Sequence, residues 1–122
     1  MITNFRQFEV ADSFGMTCQV EFAWLQNGIS IRHADTVDVK FFVDDGSGEQ
    51  EIIIALRHTD LLQLSAETGR PLTDPWATRL AALHIMRMIE TGEDLEKTLV
   101  TPSYADLRTH ATSLEQMVAS EA

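Results

Sequence analysis

Met16-Thr17-Cys18-Gln19-Val20-Glu21-Phe22-Ala23-Trp24, followed by Leu25-Gln26-Asn27-Gly28-Ile29, is the stretch on which the architecture turns. Successive side chains of a strand point to opposite faces, so apolar Met16, Cys18, Val20, Phe22 and Trp24 alternating with polar Thr17, Gln19 and Glu21 predict a strand with one buried face. Asn27-Gly28 supplies the two positive-φ positions of a tight two-residue hairpin. Counting outward from that turn pairs Trp24 with Ile31, Phe22 with His33, Cys18 with Val37 and Met16 with Val39, all on one face. Odd positions stay apolar through Val37, Val39, Phe41 and Val43, so residues 29–43 read as one strand, bent or bulged near Ala34-Asp35-Thr36, or else broken there.

A polar turn at Asp44-Asp45-Gly46-Ser47-Gly48-Glu49 then reverses the chain and sets Val43 opposite Gln50, Phe41 opposite Ile52, Val39 opposite Ile54 and Val37 opposite Leu56. Upstream, a three-residue loop at Ser13-Phe14-Gly15 pairs Val10 with Cys18 and Phe8 with Val20, with glycine at the left-handed position. The expected sheet is a four-stranded antiparallel meander. Its second face is uneven, because Phe42, Ile53 and Ala55 are apolar there, which asks for something to cover that corner.

From Thr59 the spacing becomes helical. Thr59 or Asp60 caps a first helix that Gly69 and Pro71 end. Asp74-Pro75 opens a second helix that runs to Thr91 and stops at Gly92. Residues 93–100 read as a short helical piece ended by Thr101-Pro102. Ser103 and Asp106 form a capping box for the last helix. The expected fold class is therefore α+β, a single domain over residues 1–122, with three or four helices packed on the sheet.

Nineteen acidic residues against nine basic ones give a formal charge of −10. That field repels phosphate backbones and anionic lipid, and the basic residues form no stripe, so neither nucleic acid nor membrane is an expected partner. No apolar run reaches the roughly 18 residues a membrane span needs. The N-terminal residues carry no secretory pattern, and the single Cys18 cannot form an internal disulfide, so a soluble cytoplasmic protein is expected. Cys18 itself falls mid-strand on the core face and reads as packing.

The candidate chemistry is a doubled His-x-Asp, His33-Ala34-Asp35 and His58-Thr59-Asp60. Residues two apart on a strand share a side, and a ladder continued past Leu56 would gather His33, Asp35, His58 and Asp60 as ligands for a divalent metal. Against that, a helix starting near Thr59 would carry Asp60 away. No organic cofactor is expected. His84 reads as a helix-border residue, and His110 lies beside the seam of the last helix.

The second helix is apolar on two sides, through Ala77, Ala81, Ile85, Met88 and Ile89 on one and Trp76, Leu80 and Leu83 on the other. The last helix carries a narrow seam of Tyr104, Leu107, Ala111, Leu114 and Val118. Such surfaces pack within one domain or pair two copies. Three functions follow: a non-catalytic protein-binding domain acting as a homodimer, a small-molecule binder with a pocket lined by Phe22, Trp24, Phe41 and Met88, or a metal-dependent enzyme using the doubled His-x-Asp.

Overall fold

Strands β1 (Gln7–Ala11) and β2 (Thr17–Gly28) form the first hairpin in the expected register, Val10 opposite Cys18 and Phe8 opposite Val20. The computed structural model of the chain describes residues 4–28 and 35–121. At the hairpin tip Asp12 N–H donates to the Met16 carbonyl at 2.8 Å, and Gly15 adopts φ +85°, the left-handed value that glycine tolerates without strain. The Asp12 carboxylate accepts from the Phe14 and Met16 N–H groups at 2.9 Å and locks the loop. Strands β3 (Thr36–Asp44) and β4 (Glu49–Arg57) make the other predicted hairpin, with Val43, Phe41, Val39 and Val37 opposite Gln50, Ile52, Ile54 and Leu56.

The join between these hairpins corrects the sequence expectation. No turn forms at Asn27-Gly28. Asn27 pairs with Val37 and Gly28 with Thr36, so β2 runs straight through the residues expected to reverse it. Phe22 lies opposite Phe41 instead of His33, Trp24 opposite Lys40 instead of Ile31, and Val39 opposite Leu25 instead of Met16. Cys18 is buried against β1, while Met16 stands outside the strand and is exposed. Ile31 and His33 themselves lie outside the described residues. The observed register matches Val20 with Val43 and Phe22 with Phe41 on the face that is buried, and burying one large apolar side chain contributes about 1.5–3 kcal/mol, more than a local turn preference offers.

A bulge between Phe22 and Trp24 makes Ala23 the extra residue and inverts the alternation beyond it. Leu25 turns inward opposite the buried Val39. Trp24 turns outward, onto the face of Lys40, whose Nζ lies 5.6 Å from the Trp24 ring and 5.4 Å from the Phe42 ring. The same face carries Ile53 opposite Lys40 and Glu51, which pairs with Lys40 at 3.0 Å.

Helix α1 (His58–Thr68) follows β4 with no intervening loop. It begins earlier than Thr59: Arg57, still extended, holds the N-cap position and offers no side-chain cap, while Asp60 sits in the first turn. Gly69 ends it in the left-handed region, as expected. Helix α2 (Asp74–Thr91) is capped by Thr73, one residue before the expected Asp74, with Thr73 Oγ1 accepting from Trp76 N–H. Losing that acceptor leaves an orphan donor at the helix start, so Thr73→Ala is expected to cost about 1 kcal/mol in chemical denaturation, and Thr73→Ser much less.

Residues 93–98 form turns, with Asp94 at φ +58°, and the short helix expected over 93–100 is absent. Instead β5 (Leu99–Val100) pairs parallel with β4, giving a five-stranded mixed sheet in the order β1-β2-β3-β4-β5 in place of the four-stranded meander. Ile53 N–H donates to the Thr98 carbonyl and the Gln50 amide to the Leu95 carbonyl, so the exposed edge of β4 takes the hydrogen bonds that a helix would have made internally. Helix α3 (Tyr104–Glu121) begins at the predicted capping box: Asp106 N–H donates to Ser103 Oγ at 3.1 Å and Ser103 N–H to the Asp106 carboxylate at 3.4 Å.

The fold is of the α+β class. Helix α2 crosses the sheet, touching β1 to β4, and α3 packs against α2 and α1. Both apolar sides of α2 are thereby covered within the chain, and Leu107, Ala111 and Leu114 of the α3 seam are buried as well. Among the described residues no helix is long and apolar enough to cross a membrane.

Candidate functional site

Strand β1 begins only at Gln7, whose partner is Glu21, and the Arg6 carbonyl accepts one last bond from Phe22 N–H at 2.7 Å. Beyond Phe22 the bulge bends β2 away, and the preceding segment Asn4-Phe5-Arg6 does not follow it. The gap is an open cleft of about 680 Å³ between that segment, the bulge and the first turns of α2. Phe5, Phe22 and Trp24 are the aromatic residues of its lining, and Arg6, Asp74, Thr78 and Arg79 are among the polar ones.

Two cation–aromatic contacts order the walls. The Arg6 guanidinium lies 4.6 Å over the Phe22 ring, and that of Arg79 lies 5.6 Å over the Phe5 ring. Phe22 is held from behind by Phe41, whose ring it meets edge-on at 6.1 Å and 78°.

Of the side chains expected to line a pocket, the structure brings Phe22 and Trp24 to this cleft. Phe41 and Met88 are buried in the core, at 0% and 2% exposure, and do not reach it. Sequence reasoning missed Phe5, Arg6 and Arg79, because no spacing links residues drawn from a terminal segment and a distant helix.

The candidate metal ligands are placed only in part. His58 N–H donates to the Asp35 carbonyl at 2.8 Å, so the two do stand opposite one another as the extended ladder implies. Helix α1 then takes Asp60 out of the strand, and its Oδ2 is buried without a hydrogen-bond partner. His33 lies outside the described residues, and among the described residues no three His, Cys, Asp or Glu side chains gather as a metal site.

A second polar cluster lies between α2 and α3. His84 and His110, each 5% exposed, meet edge-on with His84 Nδ1 3.1 Å from His110 Nε2. One nitrogen donates and the other accepts, so the contact holds a single proton. Burial lowers the affinity of His84 for a proton, and burial together with the neighbouring His84 pushes His110 down to about 4. Beside them Arg87 pairs with Asp106 at 2.6 Å. Burial acts to raise the Asp106 carboxyl, but Arg87 and Ser103 hold it below its usual range. A small cavity of about 70 Å³ has His84, Arg87, Thr101 and Asp106 in its wall. The border position expected for His84 is thus a buried one.

No protein-family model, curated protein or solved structure matches the chain.

Proposed function

We propose that the chain is a non-catalytic, cytoplasmic binding domain that holds a small organic molecule in the cleft between the Ala23 bulge and α2. The observation that carries this reading is the cleft itself: about 680 Å³, lined by three aromatic residues and a few polar ones. That size and that mixture of flat apolar walls with placed polar groups are what small-molecule sites have in common. The lone, buried Cys18 fits a reducing compartment.

A panel of small aromatic and aliphatic compounds, read by thermal shift and by quenching of Trp24 fluorescence, tests it. A compound present at a hundred times its Kd should stabilise the fold by about 2.7 kcal/mol. The quenching should vanish in Trp24→Phe while the buried Trp76 still emits. A panel in which nothing moves either signal removes the reading.

Homodimer formation is a second reading. The helical surfaces that suggested it are occupied within the chain, but the outer sheet face carries Phe42, Ile53 and, at 53% exposure, Leu99. Light scattering at high concentration decides this one: a dimer that Leu99→Lys dissociates supports it, and a strict monomer excludes it.

A further inference from the structure

We infer that the ligand of the cleft is an organic anion, a flat ring bearing a carboxylate or phosphate, gripped by Arg6 and Arg79; this rests on the cleft being the binding site. The chain is strongly acidic, and its described basic side chains are mostly engaged. Lys40, Arg70, Arg87, Lys97 and Arg108 each pair with a carboxylate. Arg6, Arg57 and Arg79 form no ion pair among the described residues, and two of these three line the same cleft.

Their ring contacts explain how they stay available. A cation–π contact does not neutralise a guanidinium as a carboxylate would, so the group keeps its charge and its capacity to meet a carboxylate or phosphate with two parallel hydrogen bonds. Phe22 beside Arg6 and Phe5 beside Arg79 therefore hold both guanidinium groups at the cleft with no carboxylate paired to either. Among the described residues Asp74 is the one carboxylate in the cleft wall, so there two positive groups face one negative group. In a chain whose total formal charge is −10, that local excess of positive charge is unlike the molecule as a whole. Phe5, Phe22 and Trp24 are the aromatic residues of the lining and contribute apolar surface for a ring.

The test compares naphthoate, naphthyl phosphate, neutral naphthamide and inorganic phosphate by calorimetric titration of the full chain. Both aromatic anions should bind at least about tenfold more tightly than naphthamide, since a charged hydrogen bond is stronger than a neutral one, and more weakly as salt rises. Whichever anion binds more tightly names the headgroup. Arg6→Met and Arg79→Met keep the aliphatic stem over each ring, and each should weaken anion binding about tenfold while leaving naphthamide unchanged. Melting temperatures of the variants check that they fold. Equal binding of naphthamide and the anions, indifferent to both arginines, overturns the anion assignment and leaves the cleft reading standing. Tight binding of inorganic phosphate alone overturns the ring. Failure of all four to bind removes the cleft reading together with this one.

Discussion

Phe41→Ala should destabilise the fold by about 3–5 kcal/mol, the range for truncating a fully buried aromatic side chain and leaving a cavity that close-packed neighbours refill only in part. Phe41 is 0% exposed at the centre of the sheet, opposite Phe22 on one side and Ile52 on the other. A loss of that size is comparable to the whole stability of many small domains, roughly 5–15 kcal/mol, and should lower Tm by on the order of 10–20 °C. Phe41→Leu keeps most of the volume and should cost appreciably less, so it remains measurable if the alanine variant does not fold. The pair also separates packing from recognition. Phe41 lies behind Phe22 and not in the cleft wall, so Phe41→Leu should leave ligand affinity within a few fold of the unaltered protein once both are folded. A selective loss of binding at unchanged Tm would mean that Phe41 contacts the ligand directly.

The two outer hairpins were legible because each is closed by local information. Alternation fixes which side faces in, and Gly15 or the Asp44–Glu49 turn fixes the count across the loop. Helix ends at Gly69, Gly92 and Ser103 were legible for the same reason, since a left-handed glycine or a reciprocal cap involves only neighbours. The β2 to β3 register was not. Trp24 and Leu25 are both apolar, so an alternation that skips one step at Ala23 looks the same in one dimension as one that does not. Once the bulge is admitted, Trp24 leaves the core face and Leu25 takes its place, and the Asn27-Gly28 turn loses to the side chains that longer pairing buries.

Strand β5 escaped notice because two residues carry no period, and its partner Ile53-Ile54 is reached only after two helices. The site fared likewise. Two of its rings, Phe22 and Trp24, could be named from a strand pattern, though for the wrong face in the case of Trp24. Arg6 and Phe5 from the segment before β1 and Arg79 from the start of α2 reach the same cleft only because β1 starts late and α2 starts beside the bulge. The contact between His84 and His110 arises in the same way, from two helices laid together rather than from any spacing along one of them.

That histidine contact carries the largest expected pH effect. The unfolded chain binds a proton at each imidazole near 6.5, whereas folded His110 binds one only near 4. Between those values the unfolded state takes up protons that the folded state refuses, so stability is full above about 6.5, falls as pH drops through the window, and levels off below about 4. The His110 shift alone corresponds to on the order of 3 kcal/mol across that window, and the lowered affinity of His84 acts in the same direction.

The charged groups facing the pair do not all agree. Asp106 favours the protonated forms and Arg87 opposes them, while Glu93 and Asp94 also draw His84 toward protonation. Burial outweighs the acids for both rings. A first proton can be taken without breaking the contact, because an imidazolium N–H still donates to a neutral nitrogen; a second places two N–H groups face to face across 3.1 Å. Carboxylates titrate in the same range and the net charge shrinks as pH falls, so the histidine part must be isolated by difference. The double variant His84→Leu, His110→Leu should lose about 3 kcal/mol less than the unaltered chain in denaturation curves taken between pH 7.5 and 4. It should also be no less stable at the acid end, since two apolar side chains of similar size replace a buried polar pair that is satisfied only while it holds one proton. Parallel stability curves for the two proteins would show that the imidazoles titrate alike in folded and unfolded chains, and that the space between α2 and α3 is wet enough to solvate them.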